Sequence, residues 1–391
     1  MKGNRMKIYN ARIHTMTDKG IIERGFVCVE NGKIVKVCEG APDVIEFEDI
    51  DAEGSILLPG FIDAHTHLGI LENGLDFEGD DCNEASDPFT PQMRAIDGVN
   101  PYDYCFKEAV MGGVTAVMTS PGSANTCGGS MLIMKTTGTC ADDMAVAAAG
   151  MKFALGENPK NVYNGRDESP KTRMATAALI REGLYKAKRY LSDCEAAEED
   201  SELPDFDAKC EALIPLLKGD MKAHFHCHRA DDICTAIRIA KEFHLDAVIV
   251  HGTEAHLIPD VVKNAGVPVI CGPILCDRCK PEMKNLTIEA PAILRKHDVD
   301  IAICTDHTVI PIQYLSATAA LAVKGGMSEE DALYSITKGA ACILGVEERM
   351  GSIAEGMDAD LQMYRKDPLD LREDPWYVMI DGKECVNNGF R

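Results

Sequence analysis

Two histidines one residue apart, His65 and His67, end the segment PGFIDAHTH, which follows the apolar run Ile56 to Leu58. Alternate side chains of a β-strand point to the same face. We therefore expect both imidazoles to project from one end of a buried strand, where they could offer two nitrogen ligands to one metal ion. Taken alone, the pair is equally consistent with two ordinary polar residues at a strand end.

Three further segments place metal-binding residue types at the ends of apolar runs. AHFHCHR carries alternating histidines, DAVIVHG ends a Val/Ile run on a histidine, and DIAICTDH ends another on an aspartate; these residues are His224, His226, His228, His251 and Asp306. Neutral imidazole and carboxylate together suit Zn, Fe, Ni or Mn. Any one of these residues could be a polar strand end facing solvent, but the repetition at four strand ends predicts a metal site.

The middle of the chain alternates apolar strands with helical stretches, a pattern typical of βα units and a parallel sheet. Six strands are distinct, and we expect the third and fourth strands of the series within residues 129–157. SPKTRMATAALIREGLYKAKRYL is predicted to be a helix, with Ser169 as N-cap and Pro170 at its first position. Eight such strands predict a (β/α)8 TIM barrel, in which chemistry occurs at the C-terminal strand ends. The alternative is a doubly wound open sheet, which the lack of a G-x-G-x-x-G motif after the first strand disfavours.

Both ends of the chain are β-like rather than helical. The Asn31-Gly32 and Asp381-Gly382 pairs are strong hairpin signals, each between two alternating segments. The terminal segments therefore predict a β structure separate from the βα units.

Composition excludes several classes of partner. The 391 residues carry a net charge of −23, which repels phosphate backbones and anionic lipid, so we expect no nucleic-acid or membrane partner. We expect no signal peptide, because the N-terminal segment alternates instead of forming an apolar core. The 16 cysteines are scattered, which favours a reduced, cytoplasmic protein.

These motifs give the chain a resemblance to the amidohydrolase superfamily, and more narrowly to its imidazolonepropionase-like and prolidase-like branch. The resemblance rests on PGFIDAHTH, a histidine on the fifth strand, His251, Asp306 in CTDH, and the β-like segments at both ends. It implies an α/β fold in which a (β/α)8 barrel of residues 58–350 lies beside a small β-sandwich of residues 1–57 and 351–391. It also implies that His65 and His67 bind a metal ion and that His226 and His251 bind the same or a second ion. Asp306 would be both ligand and proton carrier.

Two assignments within this resemblance need a choice. His226 is preferred as the ligand in HFHCH because His228 would then be the substrate-facing residue that follows it, with His224 inside the strand. Relatives bridge two metals through a glutamate or a carboxylated lysine, and GMKFALGENP offers Glu157 and Lys152. Glu157 is preferred, because it precedes a turn and should lie on the rim, whereas we expect Lys152 near the start of its strand and far from the rim.

The expected function is that of a metal-dependent amidohydrolase, in which a metal-activated hydroxide hydrolyses a C–N bond in a small amide, cyclic amide or dipeptide-like compound. Zn is the first choice of metal, with Fe, Mn or Ni as alternatives and either one or two ions. Arg166 and Arg229 are candidate partners for a substrate carboxylate. A deaminase of a heterocyclic base and a catalytically silent barrel scaffold are the alternatives, and homo-oligomerisation is left open.

Overall fold

The computed structural model describes residues 5–389, which contain two eight-stranded sheets and the helices that cover them. The strands are β1 (Arg5–His14), β2 (Ile21–Glu30), β3 (Lys33–Glu39), β4 (Ile50–Asp51), β5 (Ile56–Pro59), β6 (Phe61–Thr66), β7 (Val114–Thr119), β8 (Cys127–Lys135), β9 (Ala145–Ala154), β10 (Lys222–Cys227), β11 (Ala247–His251), β12 (Val269–Cys271), β13 (Ile301–Ile303), β14 (Leu361–Tyr364), β15 (Tyr377–Ile380) and β16 (Lys383–Asn387). The α-helices are α1 (Tyr104–Met111), α2 (Ala141–Met144), α3 (Glu157–Gly165), α4 (Arg173–Ala196), α5 (Ala208–Lys218), α6 (Ala230–Phe243), α7 (Pro259–Ala265), α8 (Ala290–Lys296), α9 (Leu315–Lys324), α10 (Glu329–Ser335) and α11 (Lys338–Leu344).

Both ends of the chain build one sheet, in the order β16-β15-β14-β5-β1-β2-β3, with β4 paired to β1. The two predicted hairpins are confirmed, since Glu30 pairs with Lys33 and Ile380 pairs with Lys383. Asn31, Gly32, Asp381 and Gly382 all have positive φ, as this type of two-residue turn requires. The structure gives a single connected sheet where a β-sandwich was expected, and the boundaries at residues 57/58 and 350/351 stay a prediction.

The second sheet is the barrel, in the order β6-β7-β8-β9-β10-β11-β12-β13. It departs from the predicted (β/α)8 pattern in one strand, because β8 runs antiparallel to both β7 and β9. A parallel crossover needs a helix-length connection, whereas an antiparallel neighbour needs only a short one. Here residues 120–126 connect β7 to β8 without a helix. The strands predicted within residues 129–157 are found there as β8 and β9.

The barrel closes nearly completely where the segment after β13 meets β6. The Thr305 N–H donates to a carboxylate oxygen of Asp63 at 3.1 Å, and the Asp306 N–H donates to the His65 carbonyl at 3.2 Å. The His67 N–H donates in turn to the His307 carbonyl at 2.7 Å. These bonds hold the end of the first barrel strand beside the end of the last one.

Helices bury apolar stripes against the barrel. In α6, Ile233, Ala236, Ile237 and Ala240 recur at helical spacing and are buried. The helix predicted to begin at Pro170, after Ser169 as N-cap, begins instead at Arg173, because the Thr172 hydroxyl accepts the Ala175 N–H at 3.1 Å and so supplies the cap. None of the helices in the described part of the chain combines the length and apolar character that crossing a bilayer requires.

Candidate metal centre

Three of the residues singled out from the sequence meet at the closure of the barrel. His65 lies in β6, His67 directly follows it, and Asp306 lies just beyond β13. Nε2 of His65 is 3.6 Å from Oδ1 of Asp306, and Nε2 of His67 is 3.4 Å from the same oxygen. One ligand atom from each of the three lies within 4.8 Å of the others, which is compatible with a shared metal ion.

A second group of histidines lies beside the first. His226 lies near the C-terminus of β10, His228 directly follows that strand, and His251 is the last residue of β11. Their ligand atoms also lie within 4.8 Å of one another. The ring centroids of His65 and His251 are 5.4 Å apart, so the two groups are neighbours. The convergence expected from the sequence is therefore observed for His65, His67, His226, His228, His251 and Asp306.

Hydrogen bonds made by Nδ1 fix the ring orientation of three of these histidines. Nδ1 of His67 donates to the Ser120 carbonyl at 2.6 Å, and Nδ1 of His251 donates to the Gly272 carbonyl at 2.7 Å. Nδ1 of His228 lies 2.7 Å from the Thr253 hydroxyl. This is the arrangement that orients metal-binding histidines and leaves Nε2 for the ion. Nε2 of His228 is buried and has no hydrogen-bond partner within the described residues, which fits a ligand position.

Two of the candidate ligands have an unusual backbone. His251 has φ of +73° and Asp306 has φ of +53°, in the left-handed region that side chains other than glycine rarely adopt. Such positions cost on the order of 1–3 kcal/mol and cluster at functional sites. Here His251 ends β11, Asp306 follows β13, and each belongs to one of the two ligand groups.

Lys152 lies inside this cluster, which corrects the expectation that it is far from the rim. It is the third residue from the end of β9, its side chain is fully buried, and Nζ lies 3.2 Å from Nε2 of His65 and 3.3 Å from Oγ of Ser120. Burial lowers the pKa of Lys152 to about 8. A buried lysine without a carboxylate contact is rare, because an uncompensated charge is costly to bury.

Glu157 begins α3 and belongs to neither ligand group of the described residues. Its carboxylate accepts hydrogen bonds from the Asn161 side chain at 3.2 Å and from the Glu282 N–H at 3.4 Å. The structure thus directs the carboxylate towards helix α3 and the segment after β12. Its assignment as a metal bridge stays a prediction, and Lys152 is the closer of the two candidates to the histidines.

The electrostatic environment favours neutral imidazoles at most of these positions. Burial lowers the pKa of His65, His226 and His228 well below the ordinary value and lowers that of His251 to about 4. Neutral imidazole is the form that binds metal ions. His67 differs: burial alone would lower its pKa, but the Cys82 side chain and the Asp306 carboxylate raise it to about 10, so a metal ion would bind there by displacing the proton from Nε2.

Asp306 shows the opposite balance of the same forces. Burial alone would raise the pKa of its carboxyl group, but His251, His67 and Lys152 hold it below the ordinary value. The carboxylate is therefore ionised at neutral pH, as a ligand or a proton acceptor must be.

The two arginines proposed for substrate binding have other partners. Arg229 forms two hydrogen bonds with the Asp231 carboxylate, at 2.9 and 2.8 Å, on an exposed surface. Arg166 caps α3 and donates to the carbonyl of Ala85. His224 is buried within β10 and belongs to neither ligand group of the described residues. The substrate-binding assignments of Arg166, Arg229 and His228 stay predictions.

Three polar residues near the histidines were not selected from the sequence. The Asn158 amide lies 3.4 Å from Nε2 of His226 and also contacts the ammonium of Lys280, which pairs with the buried Glu282. Lys280 and Glu282 lie in CDRCKPEMKN, the segment after β12. The order of strands places that segment at the C-terminal face, and this was the signal that could have identified them.

The long acidic segment of residues 69–100 is tied to the β7–β8 connection. The Cys82 carbonyl accepts the Gly122 N–H at 2.7 Å, and the Asn83 side chain accepts the Ala124 N–H at 3.0 Å. Between the two segments and α3 lies a polar cavity of about 220 Å³, lined by Asn83, Ser123, Ala124, Asn158, Asn161 and Val162.

A comparison with known proteins agrees with this architecture. Residues 56–387 match the model of the amidohydrolase family. The chain belongs to the amidohydrolase family. It is therefore an enzyme, a hydrolase that acts on carbon–nitrogen bonds, and imidazolonepropionases are among its curated relatives. Members of the family generally use a divalent metal ion.

Proteins similar to this amidohydrolase span a range of sequence identities. It is 33% identical to the amidohydrolase tasK of Hapsidospora irregularis over 92% of this chain, which spans only 39% of that relative. It is 24% identical to an imidazolonepropionase of Aliivibrio salmonicida over 90% of this chain and 89% of the relative. Among solved structures, an amidohydrolase from Thermotoga maritima is 43% identical, with a TM-score of 0.94 over 98% of this chain and 100% of that one.

Proposed function

We propose that this amidohydrolase is metal-dependent and hydrolyses a C–N bond in a small amide, cyclic amide or dipeptide-like substrate that carries a carboxylate. The observation that supports it best is the pair of adjacent ligand groups, one of which shares Asp306 between two histidines. A single group would support metal binding alone, whereas a carboxylate between the ligands also supplies a group that can move a proton.

The residues present fit a divalent transition metal, with Zn as the first choice. Nε2 of His228 has no hydrogen-bond partner among the described residues, and Nδ1 of both His67 and His251 is bound to a backbone carbonyl. Both are features of oriented metal ligands and support this assignment. His65, His67 and Asp306 would hold one ion, and His226 with His251 the same or a second one. A divalent ion supplies a water nucleophile at neutral pH and polarises the scissile carbonyl.

Lys152 is our choice for the bridge between two ions, in preference to Glu157. Its support is geometric: Nζ is 3.2 Å from Nε2 of His65, and the side chain is fully buried. The neutral amine would add to carbon dioxide, forming an N–C bond and releasing one proton, to give a carbamate. The ammonium form must first lose its own proton, and the resulting carbamate would offer two anionic oxygens to the divalent ions that the histidines would hold.

Asp306 is the proposed proton carrier. Its oxygen lies within 3.6 Å of both first-group histidines, so the carboxylate faces the position where water and substrate would meet. It would take a proton from the attacking water and pass it to the leaving nitrogen, acting first as general base and then as general acid.

A panel of substrates tests this function. Metal-loaded protein is incubated with N-acyl amino acids, dipeptides, cyclic amides and heterocyclic amines, and products are scored for new amine, new carboxylate and free ammonia. The proposal expects amine and carboxylate from carboxylate-bearing amides. Ammonia from a heterocyclic amine alone would favour the deaminase instead, and no turnover with any compound of the panel would contradict the proposed substrate class.

A further inference from the structure

The segment between β12 and α8, residues 272–289, places a cation near the histidines. The Lys280 ammonium lies 3.2 Å from Oδ1 of Asn158 and 3.4 Å from Oε1 of Glu282. An ammonium has three N–H donors. Within residues 5–389 two of them have partners, and the Lys280 side chain is 28% exposed, so one donor is left for a ligand.

Glu282 fixes the position of this ammonium. Its side chain is 1% exposed, Oε2 accepts the Glu157 N–H at 2.9 Å, and Oε1 lies 3.7 Å from Nε2 of His228. Gly156 leaves room for it: a Cβ there would lie 2.7 Å from Oε2. The buried Glu282 carboxylate is itself held in place, so it restrains the Lys280 ammonium from one side. The exposed side of the ammonium can then bind an anion.

Asn158 links this cation to the ligand groups. One side of its amide accepts from Lys280, and the other lies 2.7 Å from the Ser123 hydroxyl and 3.4 Å from Nε2 of His226. Asn158 also lines the polar cavity of about 220 Å³. Only Asn158 stands between Lys280 and His226 in this series of contacts, so an anion at Lys280 and a reacting bond at the histidines would belong to a short substrate.

We propose that Lys280 is the specificity-determining residue for substrate charge: it binds the carboxylate of a short substrate whose scissile amide lies at the histidines, with Glu282 as its positioning residue. This inference rests on the proposed function, because only hydrolysis at the histidines makes the bound anion a substrate. Lys280 is a better candidate than Arg229 for binding this carboxylate, since Nε and Nη2 of Arg229 already donate to the two oxygens of Asp231.

The test measures binding to the metal-loaded protein by calorimetry, with N-acetylglycine and its uncharged analogue N-acetylglycinamide as probes. The variants are Lys280→Met, Lys280→Gln and Lys280→Arg. Lys284→Met is the matched control, since Lys284 is an exposed lysine of the same segment. Circular dichroism establishes that each variant is folded.

The inference expects wild type to prefer the acid over the amide. Lys280→Met and Lys280→Gln should weaken acid binding about tenfold and leave amide binding within about twofold, as the loss of one charge-assisted hydrogen bond implies. Lys280→Arg and Lys284→Met should stay close to wild type. No preference in wild type, or unchanged acid binding in Lys280→Met, would overturn the inference, and the second result would mean that the acid binds the metal directly.

The same samples separate this inference from the proposed function. If the substrate panel shows no hydrolysis while acid binding still depends on Lys280, the anion subsite is retained and the hydrolytic function is contradicted. If hydrolysis occurs with equal efficiency on acids and amides in both wild type and Lys280→Met, the function is retained and the subsite is contradicted.

Discussion

Nζ of Lys152 lies 3.2 Å from Nε2 of His65, a contact between residues 87 positions apart in the chain. It exists because β9 and β6 both end at the same face of the barrel, with β7 and β8 between them. The fully buried lysine therefore belongs to the ligand cluster and is not part of an apolar strand interior.

Replacing this lysine tests its role as a metal bridge. Lys152→Ala should reduce bound metal by about one equivalent relative to wild type, because the carbamate oxygens would be lost. Glu157→Ala is the matched comparison and should keep the wild-type metal content, since its carboxylate contacts Asn161 and the Glu282 N–H instead. Elemental analysis by mass spectrometry measures both. The reverse pattern would restore Glu157 as the bridge.

Replacing Asp306 tests proton transfer. Asp306→Asn removes the acidic group but keeps its size, so we expect the histidines to retain metal while turnover falls about 10²–10⁴-fold. The control is Asp231→Asn, an aspartate bound to Arg229 on the surface. Activity within about threefold of wild type in Asp306→Asn would contradict the assignment of Asp306 as proton carrier.

Replacing Lys135 tests whether its charge cluster stabilises the junction between the barrel and the terminal sheet. Lys135 ends β8, and its ammonium pairs with Asp358, Asp360 and Asp381. Lys135→Met removes this partner from the buried carboxylates of Asp358 and Asp360, so we expect the free energy of unfolding to fall by about 3–5 kcal/mol. Urea denaturation measures this loss. Lys36→Met, an exposed lysine of β3, should change stability little.

The double variant Lys135→Met/Asp360→Asn should recover part of that loss, because it removes a buried charge as well as its partner. A loss of less than about 1 kcal/mol in Lys135→Met, or no recovery in the double variant, would show that the cluster does not stabilise the junction.

The same cluster predicts a loss of stability at alkaline pH. Burial alone would lower the pKa of Lys135, but Asp360, Asp381 and Asp358 raise it above its ordinary value. A raised lysine pKa adds stability that is complete below the unfolded value of about 10.4 and is lost as pH rises through the folded value. Wild type should therefore lose this stability above about pH 10.4, whereas Lys135→Met should lack that part of the decline.

Arg229 provides a test of the original substrate assignment. Its guanidinium is paired with the exposed Asp231, so Arg229→Ala should leave KM for carboxylate-bearing substrates within about twofold of wild type, as for other exposed pairs. Steady-state kinetics on matched acids and amides measure this. A selective rise in KM for the acids would return the carboxylate-binding role to Arg229.

Strand periodicity was sufficient to find the histidines and Asp306, because each stands at the end of a recognisable apolar run. Lys152 was misplaced because AVAAAGMKFALGE is apolar on both faces and does not show where the strand ends. In the structure β9 ends at Ala154, so Lys152 lies near the rim. The turn that follows uses Gly156 with φ of +86°, a conformation that no spacing rule reveals.

The direction of β8 and the anion subsite depend on contacts that the sequence does not display. The short connection of residues 120–126 contains turn-forming residues, but those residues do not determine whether the next strand runs antiparallel or parallel to β7. Lys280 and Asn158 are separated by 122 positions, and their contact exists only once the barrel has closed. Periodicity identifies residues on one element, whereas such pairs need the fold itself.

The central claim is that the two groups of side chains hold metal, and elemental analysis of purified wild type and the His65→Ala/His67→Ala variant tests it most directly. We predict one to two equivalents of a transition metal in wild type, and half of that or less in the variant, because its first ligand group would keep only Asp306. Wild type without metal after reconstitution, or a variant with undiminished metal, would contradict the claim.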